Sequence, residues 1–299
     1  MTNYAMCRLK LLLLVFLCAC TYKPQSENYR LFYHHLEQAC PRKVCEEKSP
    51  YFLVILVEAR HLDYSCPRSF FKTLAKHPSD GTKNGDVGHA WIYLQGVLEE
   101  DSQEKSSYVF LEGGHSGELG YMQPRYMEGV FLQAEQGEKN PIAYLWQTQH
   151  DGFFQYGPGC HYPTFAAKIN LTASQFHLIL KFIQNYSFSN YAIIGNQCCS
   201  FATQVAALAD LILESKISLK IDPFFHIGNN TICLWEDPLY SQITFFSPDV
   251  LEKSLMQAVA EGRAEEALTW YKKKYPLRCR WKKEDFFLFP KRYLRLKAL

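Results

Sequence analysis

The chain has 299 residues, 47% hydrophobic and 15% aromatic, with 32 Lys and Arg against 30 Asp and Glu. That composition supports a packed core and excludes an intrinsically disordered chain, and a net charge of +2 gives no footing for nucleic acid. In chain order, residues 1–19 hold Arg8 and Lys10, then the apolar run Leu11–Leu17 and a small residue at Ala19. Basic, apolar and small segments in that order read as a secretory signal. The run is too short to cross a bilayer, which takes about 20 apolar residues, and no later stretch is long and apolar enough. Without residues 1–19 the chain loses two basic and no acidic residues, so the remaining 280 sum to a charge of about zero.

Residues 20–49 are polar and cysteine-bearing, as a spacer would be. Tyr51–Val57 is an apolar run of strand formers, short enough for a buried strand. The stretch 77–86, rich in Pro, Gly, Asn and Asp, reads as irregular. Gly88–Leu94 and Tyr108–Glu112 then read as a hairpin, and the glycines of Gly113–Glu118 as a sharp turn. A further strand is expected over 141–147, followed by a loop at Gly157–Gly159. Phe176, Ile179, Leu180 and Ile183 recur at helical spacing, with Thr172 and Gln175 in capping-box positions. A second helix should start near Cys198 and run to about Ile212, the Gly195-Asn196 pair supplying the turn before it. Ser247-Pro248-Asp249 marks another helix start, and 250–274 reads as one or two helices broken near Gly262. The expected fold class is α+β: a core over 50–215 of antiparallel sheet packed on helices, and a mainly helical, basic extension over 216–299.

Three residues of this layout suit nucleophilic chemistry. Cys198 at a helix start is where amide dipoles lower a thiol pKa and help hold an oxyanion. His89 on a strand supplies a base that titrates near neutrality. Glu112 on the adjacent hairpin strand is placed to orient that ring, completing a nucleophile, base and orienter. Cys199 stands beside the nucleophile as an alternative, and His115 is a rival orienter, with Glu118 a weaker one. Plainer readings stand beside these: His89 as a core histidine between aromatics, and Glu112 on a solvated turn. A metal reading would take Cys160 and His161 with Cys198 and Cys199, but paired-ligand spacing is lacking; no metal and no cofactor are expected. Cys40, Cys45, Cys66, Cys160, Cys233 and Cys279 are disulfide candidates whose pairing stays open, or are small buried hydrophobes.

Gly88-His89-Ala90-Trp91-Ile92-Tyr93-Leu94, Phe110-Leu111-Glu112-Gly113-Gly114 and Cys198-Cys199-Ser200-Phe201 resemble, in this order, the circularly permuted branch of the NlpC-type papain-like cysteine hydrolases, which includes the lecithin retinol acyltransferase-like proteins. The resemblance covers about residues 50–215. It implies a permuted papain-like core with Cys198 as nucleophile, His89 as base and Glu112 as orienter. The implied activity is thiol hydrolysis of an amide or ester, cell-wall peptide being the first substrate class and lipid acyl transfer the second. Leu17-Cys18-Ala19-Cys20 resembles the bacterial lipobox. That resemblance implies cleavage before Cys20, acylation of Cys20 with palmitate-type chains, and a chain held on a membrane of the bacterial cell envelope, at its periplasmic or outer face.

Residues 272–299 hold eleven Lys and Arg, interleaved with aromatics. Such a tail fits anionic lipid or an anionic envelope polymer, or else forms a solvated face with its aromatics packed inward. The class competing with an enzyme is a non-catalytic envelope protein that uses the same fold as a binding module.

Overall fold

The computed structural model describes residues 34–35, 50–66, 69–70, 73, 87–99, 106–117, 150, 152–159, 161–220, 222–233 and 238–275. Outside them lie residues 1–19, expected as a signal, Cys20, the expected spacer apart from 34–35, the stretch 77–86, the strand expected at 141–147, Glu118, Cys40, Cys45, Cys160, Cys279 and the tail from 276 onward.

The chain builds an α+β structure around an antiparallel seven-stranded sheet. Its strands are β1 (His34–His35), β2 (Phe52–Ala59), β3 (Gly88–Glu99), β4 (Ser106–Ser116), β5 (Phe153–Tyr156), β6 (Phe165–Asn170) and, late in the chain, β11 (Glu265–Glu266). They run in the order β1-β4-β3-β2-β6-β11, with β5 also on β4. The central strand β2 is buried along its whole length, as its unbroken apolar run requires.

Two stacks of side chains follow from strand alternation. Leu53, Ile55, Val57, Ala90, Ile92 and Leu94 face the helices α1 (Ala173–Asn185), α2 (Cys198–Leu208) and α3 (Pro248–Ala260). Val54, Leu56, Trp91 and Tyr93 face the other way, onto α4 (Leu268–Lys274) through Ala267 and Tyr271. The ammonium of Lys274, at the last turn of α4, sits 4.4 Å from the Tyr93 ring centroid, 5.1 Å from that of Trp270 and 5.2 Å from that of Phe110. Each such cation–π contact is worth about 0.5–2 kcal/mol, and together they pin α4 to the sheet.

Local signals held well. Thr172 and Gln175 form the capping box of α1, and a left-handed Gly262 separates α3 from α4. The segment Gly113–Ser116, expected as a turn, instead continues β4 and pairs with β5. Its glycines serve close approach: a Cβ on Gly114 would lie 2.8 Å from the Ala90 carbonyl oxygen, and one on Gly113 would lie 2.3 Å from that of Gln155. The second helix ends at Leu208, short of Ile212, where Asp210 takes a left-handed conformation. The extension expected as mainly helical is mixed. Besides α3 and α4 it carries β7 (Lys216–Lys220) paired with β10 (Gln242–Phe246), and β8 (Phe224–Ile227) paired with β9 (Asn230–Cys233). It also completes the main core, since Leu251, Leu255 and Ala258 of α3 are fully buried there. No helix among the described residues is long and apolar enough to cross a membrane.

Candidate active site

β3 begins at Gly88 with φ +96°, and a Cβ there would lie 2.1 Å from the Glu58 carbonyl oxygen. Only glycine allows that approach, and it sets the next residue, His89, directly opposite Glu58 in the β2–β3 register. By alternation His89 shares its face with Trp91, on which its ring stacks at 5.8 Å. It lies at the strand's first pleat, where β3 has not yet paired with β4, because that ladder starts at Ile92 and Gly113.

Cys198 opens α2, and His89 is among the groups near enough to act on its thiol. The Cys198 thiol is held well below its ordinary range, foremost by a hydrogen bond from the Cys199 thiol, 3.9 Å away. Burial opposes this, while His89, as hydrogen-bond partner and as charge, and the Ala90 backbone N–H add to it. Cys199 is pushed the other way, by complete burial first and then by its neighbour Cys198. These opposite directions favour the proton on Cys199 and the thiolate on Cys198. Both are free thiols.

One contact works against the thiolate. Gln197, the N-cap of α2, turns its Oε1 toward Cys198 Sγ at 3.0 Å and accepts the Cys199 N–H at 2.6 Å, while its Nε2 donates to the Phe246 carbonyl at 2.6 Å. With the amide held at both ends, an oxygen faces the sulfur and favours the protonated thiol.

Glu112 does not orient His89. In the β3–β4 register it lies opposite Tyr93, so Trp91 stands between it and His89. Its buried carboxylate accepts the Trp91 indole N–H at 3.3 Å and the Tyr271 hydroxyl at 2.5 Å. Among the described residues the buried Nε2 of His89 has no hydrogen-bond partner. Glu112 thus bonds the ring on which His89 stacks, and not His89 itself.

His115, the rival orienter, faces the helices and is fully buried. Its ring sits edge-on among Tyr186, Phe188 and Tyr191 at 5.2–5.5 Å, and its Nε2–H donates to the Phe188 carbonyl at 2.7 Å. Burial, with a smaller push from His89, lowers its pKa from 6.5 to about 4 against the opposing Phe188 hydrogen bond. The unfolded chain therefore takes up a proton here between pH 6.5 and 4 that the folded chain refuses. Stability should be full above about pH 6.5 and fall as pH drops through that window, by about 3 kcal/mol in all. Denaturant unfolding of the wild type and His115→Phe at pH 7 and pH 4 checks this; an equal loss in both proteins would contradict it.

Sequence reasoning missed Glu58, Trp91, His161, Gln197 and Tyr271. A carboxylate closing a wholly apolar strand was the one readable signal for Glu58; the others depend on contacts between distant segments. His161, weighed for a metal, instead directs Nδ1 at the Glu58 carboxylate. Among the described residues no group of three His, Cys, Asp or Glu is arranged to hold a metal ion. No family model, curated protein or solved structure matches this chain.

Proposed function

We propose that the protein is a thiol hydrolase acting on an amide or ester bond through Cys198 and His89. The observation that carries this is the Cys198 thiol at the first turn of α2, its pKa depressed beside His89 and the Ala90 N–H. The resemblance of the histidine strand and the Cys198–Phe201 helix start to permuted NlpC-type hydrolases supports it, and favours a papain-like reading of the core.

In this reading the Cys198 thiolate attacks the carbonyl carbon while His89 holds the thiol proton. The tetrahedral adduct collapses with transfer of that proton to the leaving amine or alcohol, and a thioester remains on Cys198. Water, deprotonated by His89, cleaves the thioester, releases the acid and restores the thiol. The first substrate class is cell-wall peptide, and acyl transfer to a lipid acceptor is the second. A chain anchored through acylated Cys20, with residues 272–299 against anionic lipid or polymer, would work at the bacterial envelope surface. Metabolic labelling with an alkynyl palmitate should mark the wild type and not Cys20→Ala; equal labelling removes the anchor from the proposal.

Incubation of the full chain with p-nitrophenyl acyl esters, quenched in acid, should leave an acyl group on Cys198 by peptide mass spectrometry and none in Cys198→Ala. Ester turnover by Cys198→Ala at the wild-type rate would end the hydrolase reading. A second reading, a binding module with structural cysteines, draws on one observation: Cys198 and His89 are only 6% and 5% exposed.

A further inference from the structure

His89 faces a problem that its neighbours solve in an unusual way. An imidazole base in a nucleophilic pair is ordinarily oriented by a hydrogen bond to one of its ring nitrogens, and the buried Nε2 of His89 has no hydrogen-bond partner among the described residues. The ring is instead stacked against two others, Trp91 at 5.8 Å with 15° between planes and His161 at 4.5 Å with 29°.

Each flanking ring is tethered to a buried carboxylate. Trp91 is bound to Glu112, and His161 is bound through Nδ1 to Glu58. Glu58 is 1% exposed, is the register partner of His89, and has the Arg60 guanidinium 3.5 Å from its other oxygen. His161 follows the Gly157–Gly159 turn, with its N–H on the Pro158 carbonyl at 3.0 Å.

A buried ion pair of this kind is weak as a stability device, because apolar side chains of the same volume do as well or better. Nor do two stacked imidazoles aim their lone pairs at a common point, as metal ligands must. What the pair does accomplish is geometric: it fixes the plane of a ring that is stacked on His89.

We infer that Glu58 and His161 are a positioning pair for His89, the carboxylate holding the His161 ring and the ring holding the plane of His89 in place of a direct carboxylate hydrogen bond. This rests on Cys198 and His89 being the reacting pair. Loss of the His161 ring leaves His89 free to turn away from the sulfur, and misplacement of a catalytic group on this scale costs tenfold or more in rate.

The experiment compares the alkylation rate of Cys198 by iodoacetamide, read by peptide mass spectrometry across pH 5–9, in full-length wild type, His161→Ala, His161→Phe, Glu58→Gln and His89→Ala. Thermal unfolding is followed alongside. His161→Ala and His161→Phe both break the Glu58 ion pair and should lose stability alike, so stability cannot separate their rates. The expected result is a loss of about tenfold in His161→Ala and recovery to within about threefold of wild type in His161→Phe, which keeps a ring to stack. Glu58→Gln, the mildest change, should lose a few-fold with the fold intact, and carries the test if the His161 variants do not fold. A His161→Ala profile that superimposes on wild type, a His161→Phe loss equal to that of Ala, or an unchanged Glu58→Gln overturns the positioning role. If His89→Ala is slowed while the others are not, only the positioning pair fails; if His89→Ala is also unchanged, the proposed reacting pair fails with it.

Discussion

In His89→Ala, alkylation of Cys198 by a small reagent at pH 7 should fall by about two orders of magnitude, the scale on which a positioned base contributes. Removing the ring takes away both a hydrogen bond and a charge that hold the Cys198 thiol low. Burial and the Gln197 oxygen at 3.0 Å are left to favour the neutral thiol. The pH profile carries the sign. A depressed thiol is reactive below the ordinary midpoint of about 8.5, and loss of His89 moves that midpoint upward. Cys199 serves as an internal control, because burial raises it and it is fully enclosed; it should stay unlabelled in wild type and in Cys198→Ala. Uniformly slow alkylation of Cys198 in the wild type, unchanged in His89→Ala, would turn the site into a packed pair of core residues and leave the binding-module reading standing.

Substitution of Asp249 by Ala should cost about 3 kcal/mol of stability, because four partly buried donors lose their acceptor at once. The residue sits in the first turn of α3, after Pro248, where the helix dipole favours a carboxylate. Its oxygens do not cap their own helix. They accept the backbone N–H groups of Arg60 at 2.8 Å, His61 at 2.9 Å and Leu62 at 2.8 Å, and the Tyr64 hydroxyl at 2.9 Å. This clamps the chain as it leaves β2, two residues beyond Glu58, and His61 in its left-handed conformation adds a 2.6 Å contact from its Nε2 to Glu252. At roughly 2–4 °C per kcal/mol for a chain of this size, the thermal midpoint should drop on the order of 10 °C. Calorimetry of Asp249→Ala against wild type reads this directly, and a change of under 2 °C would show that water replaces the carboxylate without cost. Since the clamp holds the end of β2, Cys198 reactivity should fall in the same variant.

What was legible in the sequence is what short segments decide alone. The apolar run at β2, the aromatic and β-branched pattern of Gly88–Leu94, the Thr172–Gln175 capping box and the helix start at Cys198 each depend on neighbours within a few residues. The pairing of His89 with Cys198 was also within reach, because a strand-borne imidazole and a helix-start thiol are each useful only if they meet. Gly113 and Gly114 misled, because a glycine that permits a turn and a glycine that permits close strand packing look alike until Ala90 and Gln155 are in place. β6 was missed for a related reason: Phe165–Asn170 becomes a strand by pairing with β2, more than a hundred residues earlier.

The orienting machinery lay wholly beyond a linear reading. Placing Glu112 and His89 on neighbouring strands was sound, but the register sets Glu112 opposite Tyr93, and only that register decides which side chains touch. The Glu58–His161 contact joins residues 103 apart, and the Asp249 clamp spans up to 189. The sequence by itself determined the α+β class, the buried run at β2, the histidine strand and the helix starts at Thr172, Cys198 and Ser247, because those follow from local propensity and patterning. Which side chains surround His89 and the two thiols, and how α3 closes the core, were decided by the tertiary structure alone, since burial, charge and hydrogen bonding act through space between segments that the chain keeps far apart.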